Sequence, residues 1–476
     1  METPSFATPS SDKAEPPTAS AVEALSALRE ALGERSHIVD ESPEALEAAR
    51  SDYSGHVAPG LPLCVVHAEQ VTDVQAVMRV ASAHAVPVVP RGAGTGLAGA
   101  ANTGLGEISL SLARMQEIIE INAADQLAVV EPGILNAALN AALEPHGLWW
   151  APDPASKNIS SVGGNIATNA GGLLCAKYGV TREAVLSLDV VLANGDLITV
   201  GHRTVKGVTG LDLCALMIGS EGTLGVIVAA TLKLRQLNTN PVVTIGAFFA
   251  EEVDAAKACA AITASRIQPA IMELVTRTPL RMLSEYTGEH LSARGNAFVL
   301  LQFDDITATA SANAALSVLH SHGGNAELTT DPERSEFLVQ VRRQVHFAME
   351  RFGTVLVEDV AVPRSRLPEM FEICEQAAAR HGVTVATTAH AGDGNLHPCF
   401  VFEGETPSPE IWAAANDIFT GALSLGGTLT GEHGVGVLKR QWLGQELGAR
   451  QLDLQRQIKG VFDPQGILNP GKVFQA

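Results

Sequence analysis

At 476 residues, the chain is too long for one small hydrophobic core and predicts two domains. Its 46% hydrophobic and 18% charged residues are typical of a globular protein and not of a disordered one. A net charge of −20 argues against a nucleic-acid partner. No uninterrupted apolar run approaches the length of a membrane helix, so no transmembrane segment is expected.

The six cysteines are scattered and contain no Cys-x-x-Cys pair. This suits a reducing compartment and argues against Cys-ligated iron–sulfur clusters. The first twenty residues lack the basic start and apolar core of a signal peptide. We therefore expect a cytoplasmic protein, with peripheral attachment to the inner membrane left open; a homodimer is left open as well.

The first predicted elements are helical. Residues 1–20 are rich in Pro, Ser, Thr and Ala, which predicts a disordered tail. Residues 21–55 are predicted to be a helical segment, because apolar residues recur there at amphipathic spacing: Val22, Leu25, Leu28 and Leu32. A strand is predicted over Leu61–Val66, followed by a helix over Thr72–His84 with Thr72 as its N-cap.

The glycine-rich segment Arg91–Gly99 contains a formal G-x-G-x-x-G, from Gly94 to Gly99, that does not fit a Rossmann fingerprint. That fingerprint must open a helix. Here a strand over Ile108–Leu112 follows, so the loop is predicted to join two strands. Glycine amides in such a loop can form a nest for an anion. We predict a pyrophosphate, with Arg91 close by; an ordinary glycine-rich turn is the alternative.

A second glycine-rich segment runs from Pro152 to Gly172. It holds so many Gly, Asn, Ser and Thr residues that neither a standard helix nor a strand is expected. It predicts a loop that wraps a large polar ligand. Residues 186–200 are predicted to form a hairpin, because Asn194-Gly195 favours a type I′ turn. A third glycine-rich turn, Gly219–Gly225, leads into a strand.

After Pro241, strands and helices alternate, which predicts a small α+β cap domain. The predicted strands are Val242–Phe249, Ala297–Phe303, Asp359–Pro363 and Val383–Thr388. The predicted helices are Val253–Ile267, Ala308–Ser321, Ser335–Phe352, Ser365–His381 and Pro409–Leu425.

Two short turns near the end of the chain carry histidines. His390 and His397 frame the turn A-G-D-G-N-L, and Glu432-His433 lies between two glycines. Two imidazoles and one carboxylate are a common ligand set for a divalent transition metal. His433 would then remain free beside that metal to take a proton. The alternative is four ordinary polar residues at the surface or in satisfied hydrogen-bond networks.

The glycine-rich segments resemble, in order, those of the vanillyl-alcohol oxidase/p-cresol methylhydroxylase (PCMH) superfamily, in its lactate/glycolate branch. The matching motifs are R-G-A-G-T-G from Arg91, P-D-P-A-S from Pro152, G-G-N-x-A-x-N-A-G-G from Gly163 and G-S-E-G-T-L-G-V-I from Gly219. The resemblance implies an α+β fold class: a two-part PCMH-type FAD-binding domain, an α+β cap (substrate) domain, and a C-terminal segment that returns to the FAD domain.

The implied domain limits follow from the same motifs. They are a disordered tail over 1–20, an N-terminal helical segment over 21–55, a PCMH-type FAD-binding domain over 56–238, a cap domain with the metal site over 239–445, and the returning segment over 446–476.

The resemblance implies FAD as the cofactor, held by four groups of residues. The pyrophosphate group is Arg91, Gly92, Ala93, Gly94, Thr95 and Gly96; the ribityl and phosphate group is Gly163, Gly164, Asn165, Thr168 and Asn169; the adenine or ribose group is Glu221, Gly222 and Ile227; and the remaining contacts are Pro152, Ser156 and Asn469. Many relatives tether the flavin through a histidine in the first glycine loop. This chain has Thr95 near that place, so we expect non-covalent FAD.

The family's H-x-G-D-G-N-x-H and G-E-H-G motifs lie over the flavin in its 2-hydroxyacid dehydrogenases. The resemblance therefore implies that His390, His397 and Glu432 bind a divalent metal, zinc or manganese, and that His433 is the general base. It places a carboxylate-binding arginine at Arg342, although the adjacent Arg343 competes for that assignment.

One departure bears on the substrate. The 2-hydroxyglutarate branch carries Y-K-Y-D where this chain has Val357-Glu358-Asp359. Acids in that place are expected to repel a second carboxylate, which favours D-lactate or glycolate. The leading prediction is an FAD-dependent D-2-hydroxyacid dehydrogenase, for D-lactate first. Alternatives are a glycolate oxidase flavin subunit, a D-2-hydroxyglutarate dehydrogenase, and a non-enzymatic flavoprotein or metal-binding scaffold. The electron acceptor stays open among a quinone, a cytochrome, another flavoprotein and oxygen.

Overall fold

The computed structural model describes residues 19–474, and describes side chains from Val22 onward. The predicted disordered tail, residues 1–20, thus lies outside the described residues except for its last two. The predicted fold class is confirmed: two α+β domains of PCMH-type architecture. In the described part of the chain, no helix is both long and apolar enough to cross a membrane.

A four-stranded sheet opens the first domain. Its strands are Val39–Asp40 (β1), Cys64–His67 (β2), Val88–Arg91 (β3) and Ile108–Ser111 (β4), in the order β1-β2-β4-β3, and its helices are Ala19–Leu32 (α1), Pro43–Ala49 (α2) and Val71–His84 (α3). The predicted amphipathic helix is α1, and its Leu28 is buried with Val77 and Met78 of α3. Strands β3 and β4 run parallel, so the first glycine-rich segment joins two strands, as predicted.

A five-stranded antiparallel sheet completes the first domain, in the order β5-β6-β10-β8-β9. Its strands are Ile118–Asn122 (β5), Leu127–Val130 (β6), Val185–Val191 (β8), Leu197–Gly201 (β9) and Val226–Lys233 (β10); a separate pair is Leu148–Trp149 (β7) with Arg235–Gln236 (β11). The α-helices of this part are Asn136–Leu143 (α4), Val162–Thr168 (α5), Cys175–Tyr178 (α6) and Leu213–Met217 (α7).

Helix α5 corrects the expectation that the second glycine-rich segment has no regular structure. The hydroxyl of Ser161 accepts from the Gly164 amide at 3.3 Å and begins the helix. Asn169, with φ +52°, ends it. A Cβ on Gly163 would lie 2.5 Å from Cβ of Pro132. The glycines of this segment therefore allow a helix to pack closely against its neighbours. Composition alone does not distinguish such a helix from a loop.

The second domain is built on one antiparallel sheet. Its strands are Val243–Phe249 (β12), Ile271–Val275 (β13), Ala297–Phe303 (β14), Asn325–Thr329 (β15), Thr354–Val357 (β16), Val360–Ala361 (β17), Thr384–His390 (β18) and Asn395–Phe402 (β19). Their order is β15-β12-β14-β13-β18-β19-β16, and β17 pairs with β19. The alternation of strands and helices predicted for this half is thereby confirmed, and the sheet places β18 between β13 and β19.

The α-helices of this half are Glu252–Ala264 (α8), Arg277–Thr287 (α9), Ala308–Ser321 (α10), Pro332–Arg343 (α11), Val345–Glu350 (α12), Leu367–His381 (α13), Pro409–Ser424 (α14) and Leu443–Phe462 (α15), the last broken at Gly448. Short 3₁₀ helices lie at Gly33–Ile38, Glu144–His146, Thr181–Ala184 and Arg364–Arg366. The single helix predicted over Ser335–Phe352 is wrong, because it divides at Gln344 into α11 and α12.

Two local predictions are wrong, one at the start of a helix and one at a turn. Helix α3 begins after Gln70, not Thr72, because the Asp73 carboxylate accepts the Gln70 amide at 3.2 Å. The hairpin between β8 and β9 is confirmed, but its turn is not type I′. That turn needs positive φ at both central residues, and only Gly195 has it.

The C-terminal segment returns to the first domain, as predicted. Strand β3 exchanges two backbone hydrogen bonds with it: Val88 N donates to Ile467 O at 2.8 Å, and Asn469 N donates to Val88 O at 2.8 Å. Ile467 and Leu468 are buried in the same core as α1 and α3. The end of the chain therefore stabilises the sheet that carries the first glycine-rich segment.

We predict that Gly163→Ala lowers the stability of the first domain by about 1–3 kcal/mol, the usual cost of overpacking. In an unobstructed helix the same change stabilises by about 1 kcal/mol. Gly444→Ala in α15 is the matched control, since no atom lies within 4 Å of its added Cβ. Thermal unfolding of both variants decides: a Gly163→Ala protein that melts at or above the wild-type Tm would show that the packing is not tight.

Candidate active site at the domain interface

The two histidines that were predicted to bind a metal lie on one β-hairpin. His390 ends β18, and His397 lies on β19 opposite Thr388. The turn between the strands needs a glycine at Gly394, where φ is +81° and a Cβ would lie 2.1 Å from Val362 O. Because the pairing of β18 with β19 fixes both backbones, the two imidazoles are held side by side, with ring centroids 5.0 Å apart.

The Glu432-His433 turn is held by a carboxylate that the sequence did not single out as functional, that of Asp359. Its Oδ2 accepts four donors: Gly431 N at 2.8 Å, Glu432 N at 3.0 Å, His433 N at 3.0 Å and Thr430 Oγ1 at 2.6 Å. Its Oδ1 accepts from the Asn395 side chain at 2.5 Å. Burial would raise the pKa of Asp359, but His433 and Lys439 outweigh it and hold that pKa below its ordinary value. The Asp359 carboxylate thus accepts hydrogen bonds from both histidine turns.

This arrangement corrects the expected repulsion of a second substrate carboxylate. Asp359 is fully buried and committed to the turn. Glu358 is also buried, and its Oε2 lies 3.5 Å from Nζ of Lys439. Neither acid presents a free negative charge to a ligand, so their presence does not discriminate against a dicarboxylate.

His390, His397 and Glu432 converge on one point. Glu432 Oε1 lies 3.3 Å from His390 Nε2 and 3.1 Å from His397 Nε2. One ligand atom from each residue falls within 4.8 Å of the others. Ligand atoms at roughly 2 Å from a tetrahedral ion lie roughly 3.3 Å from one another. Nitrogen and carboxylate donors at this spacing fit a divalent cation such as zinc or manganese.

The charge state of this cluster agrees with a cation site. Burial would lower the pKa of His390, but the carboxylates of Glu273 and Glu432 outweigh it and raise that pKa well above 6.5. Burial would likewise raise the pKa of Glu432, but His390 and His397 hold it well below its ordinary value. The carboxylates therefore require positive charge between them, which a metal ion or a proton supplies.

His433 stacks on His397, with ring centroids 5.0 Å apart and an interplanar angle of 13°. Its Nε2 lies 4.0 Å from Glu432 Oε1, and its buried Nδ1 has no protein partner within the described residues. Burial lowers the pKa of His433 to about 4, so the ring is neutral at pH 7. A neutral imidazole beside the cluster is able to accept a proton.

Arg342 reaches the site through Glu273, a residue that the sequence reasoning missed. Glu273 Oε1 lies 2.6 Å from His390 Nδ1, and Arg342 Nε donates to Glu273 Oε2 at 2.7 Å. Arg343 is 44% exposed and lies near Glu336, away from this cluster. The signal for Glu273 was present in the sequence: it is the one charged residue in the apolar run A-I-M-E-L-V, and charged residues are rarely buried without a partner.

Residues of the first domain lie against both histidine turns of the second domain. A Cβ on Gly171 would lie 2.2 Å from Glu432 Oε2, and one on Gly392 would lie 2.6 Å from Cβ of Ala176. Glu221 accepts the amides of Val435 at 2.8 Å and Gly436 at 2.9 Å. Burial raises the pKa of Glu221 to about 7. The site therefore lies between the domains, where ligand sites are often found.

Four separate segments that were predicted to hold FAD come together in the first domain. A Cβ on Gly92 would lie 2.5 Å from Ser161 Oγ, so the first two glycine-rich segments touch. One on Gly222 would lie 3.2 Å from Pro90. The Asn469 side chain donates to Ala100 O at 3.0 Å and to Glu221 O at 2.7 Å. Its buried Oδ1 has no protein partner in the described range, which fits a donor group of a bound cofactor.

The remaining predicted FAD residues have mixed surroundings. Arg91 donates to Ser51 O at 2.8 Å and Ala101 O at 3.0 Å, so its guanidinium braces the loop. Ile227 is part of the apolar core of the second sheet. The others lie as follows: Gly94, Pro152 and Asn165 are buried; Thr95, Gly96, Ser156, Gly164, Thr168 and Asn169 are half-buried; Ala93 is exposed. Their roles toward FAD stay predictions.

Known proteins resemble this chain over most of its length. The family models "FAD binding domain" and "FAD linked oxidases, C-terminal domain" match residues 62–201 and 239–473. A glycolate oxidase subunit GlcD of Bacillus subtilis is 36% identical and covers 90% of this chain and 93% of its own length. A D-lactate dehydrogenase of Archaeoglobus fulgidus is 34% identical, covering 86% and 91%. A D-2-hydroxyglutarate dehydrogenase of Stutzerimonas stutzeri is 30% identical, covering 91% and 95%.

A solved structure shows the same fold at low sequence identity. It is that of p-cresol methylhydroxylase with substrate bound, 17% identical, with a TM-score of 0.78 over 96% of this chain and 98% of its own. The first two glycine-rich segments and both histidine turns lie within the regions matched by the family models, and the third glycine-rich turn lies between those regions. The chain therefore has the fold of p-cresol methylhydroxylase, belongs to the FAD-linked oxidases, and is an FAD-dependent oxidoreductase of the family that contains these hydroxyacid dehydrogenases and oxidases.

Proposed function

We propose that the protein oxidises a D-2-hydroxyacid, D-lactate first, to the corresponding 2-oxoacid. The observation that carries this proposal is the convergence of His390, His397 and Glu432 at one buried point between the domains. The neutral His433 stacks beside this cluster, and Arg342 is linked to His390 through Glu273. Relatives named for glycolate, D-lactate and D-2-hydroxyglutarate support the same substrate class.

The residues divide the work of removing two hydrogens from C2 and its hydroxyl. His433 takes the hydroxyl proton, because its ring is neutral and lies beside the ligand cluster. His390, His397 and Glu432 would hold a divalent cation, which lowers the pKa of a bound hydroxyl. Bound FAD would accept the hydride that leaves C2. The substrate loses one proton and one hydride and becomes a 2-oxoacid.

Arg342 is proposed to bind the substrate carboxylate. Its Nε is engaged by Glu273, while its terminal nitrogens have no protein partner among the described residues. A guanidinium edge with two free donors matches a carboxylate in two-point contact. Binding there fixes the orientation of C2 relative to His433, and correct orientation is a large part of the rate enhancement.

The choice of D-lactate rests on apolar surroundings. The helix that carries Arg342 buries Leu338 and Val341 in a cluster that also contains Leu173 of the first domain and Cys399 of β19. We expect the substrate side chain to face these apolar residues, which favours a methyl group over a second carboxylate, whose burial without a partner is costly. A glycolate oxidase flavin subunit is the second candidate, since the GlcD relative is named as a subunit. D-2-hydroxyglutarate is the third.

We predict non-covalent FAD, because Thr95 occupies the place where many relatives carry a tethering histidine, and a threonine hydroxyl is a poor flavin nucleophile. Acid precipitation should release the yellow flavin into the supernatant. Colour that stays with the denatured pellet would show a covalent link instead.

A substrate panel tests the proposed function. Purified protein with an artificial electron acceptor should oxidise D-lactate faster than glycolate, D-2-hydroxyglutarate or any L-enantiomer. Glycolate as the best substrate, together with copurifying subunits, would favour the second candidate. Absence of flavin reduction by every 2-hydroxyacid, in protein loaded with FAD and zinc or manganese, would remove the proposal.

We predict that His433→Asn keeps FAD and metal but slows flavin reduction by about 10²–10⁴-fold, the usual contribution of a positioned base. The matched control is His346→Asn, because His346 is 48% exposed and its ion-pair partner, Glu350, lies on its own helix. Anaerobic stopped-flow reduction measures both. A His433→Asn protein reduced at nearly the wild-type rate would exclude His433 as the base; weak FAD or metal retention with a modest loss would mark a residue that only orders the loop.

A further inference from the structure

We propose that Glu273 is a positioning residue that couples the metal-binding histidine to the substrate-binding arginine, acting on each through a different carboxylate oxygen. The inference rests on the proposed function and goes beyond it, because it assigns a role to a residue in contact with neither the hydroxyacid nor the flavin. Metal affinity and substrate affinity would then share one determinant on strand β13.

The geometry puts Glu273 between the two groups. Its side chain is 1% exposed and lies in the middle of β13. Backbone pairing sets Glu273 directly opposite His390 of β18. Oε1 lies 2.6 Å from His390 Nδ1, and Oε2 accepts from Arg342 Nε at 2.7 Å. Both oxygens are occupied, by groups from two different elements.

Toward His390, the carboxylate sets which ring nitrogen is free. Hydrogen bonding at Nδ1 places the proton there and leaves the lone pair at Nε2, the atom that lies 3.3 Å from Glu432 Oε1. Metal-binding histidines generally donate their other N–H to a carboxylate or carbonyl, and loss of that partner costs about 10–100-fold in metal affinity. An uncharged amide in place of Glu273 can still hydrogen-bond but makes the imidazole a weaker ligand.

Toward Arg342, the carboxylate sets the plane of the guanidinium. With Nε held, the terminal nitrogens are left for a ligand. Arg342 in turn stabilises the Glu273 carboxylate, because a carboxylate this deeply buried requires a positive partner. A Glu273 that served only to neutralise Arg342 would affect folding and substrate binding and leave zinc affinity unchanged. The experiment must distinguish this simpler role from the proposed action of Glu273 on both His390 and Arg342.

The test uses Glu273→Gln, Arg342→Met and the double variant, in FAD-loaded protein stripped of metal. Zinc affinity is measured by competition with a coloured chelator, and kcat and KM for D-lactate are measured after zinc is restored. Glu273→Gln should lower zinc affinity by about 10–100-fold and raise KM. In the Arg342→Met background, its effect on zinc should persist, whereas its effect on KM, measured at saturating zinc, should shrink, because Glu273 then acts on the substrate mainly through Arg342.

Two matched controls test whether the effects come from the position of Glu273 and Arg342 or from the loss of any charge in this domain. Glu252→Gln removes another buried glutamate of the same domain, whose carboxylate accepts the Arg277 amide at 2.7 Å. Arg343→Met removes the exposed neighbour of Arg342. Both should leave zinc affinity and KM unchanged. If Glu273→Gln does not fold, Glu273→Asp keeps the charge on a shorter arm and should show a smaller loss of zinc affinity than any neutral replacement that folds.

Unchanged zinc affinity in folded Glu273→Gln overturns the proposal, as does a KM effect that persists undiminished in the Arg342→Met background. The zinc result is independent of the proposed function, whereas the KM result requires it. A wild-type protein that oxidises no 2-hydroxyacid removes the proposed function, while the zinc comparison by itself still supports or overturns the role of Glu273 at His390.

Discussion

The constraint on which the site depends is the burial of carboxylates where water cannot solvate them. Glu273 and Asp359 are 1% and 0% exposed. An unpaired charge in such a place costs several kcal/mol. Each oxygen of both residues is therefore occupied, by an imidazole, a guanidinium, an amide side chain or the backbone amides of the Glu432 turn. These pairings determine where the histidines and Arg342 lie, so the geometry of the candidate site is a consequence of satisfying buried charge.

The same burial gives the histidines different chemistry. His390 is held between two carboxylates, which raise its pKa well above 6.5 despite burial. The ring of His433 lies 4.0 Å from Glu432 Oε1, its buried Nδ1 has no protein partner within the described residues, and burial lowers its pKa to about 4. One ring therefore suits binding to positive charge and the other suits accepting a proton, although the residue type is the same.

Contact between the domains completes the site. Lys177 of the first domain reaches Asp305 of the second at 2.9 Å, and Tyr178 donates to Asp304 at 2.6 Å. Close to these contacts, Gly171 leaves room for the Glu432 carboxylate. Small residues at the boundary allow backbone of one domain to lie against ligands of the other. One domain thus carries the segments predicted to bind flavin, and the other carries the predicted metal ligands. Their contact brings the two groups of residues together.

Local sequence pattern was sufficient for much of the fold and for the identity of the candidate ligands. Helix Ala308–Ser321 was predicted to the residue, and the His390 and Glu432 turns were identified from residue types and spacing. These features depend on short-range periodicity and on chemistry that few residue types can perform. Only the tertiary structure decided the rest. Glu273 lies 117 residues from His390, and Asp359 lies 73 residues from Glu432. Because sheet pairing brings such residues together and burial then requires them to pair, their roles follow from the folded environment and not from sequence spacing.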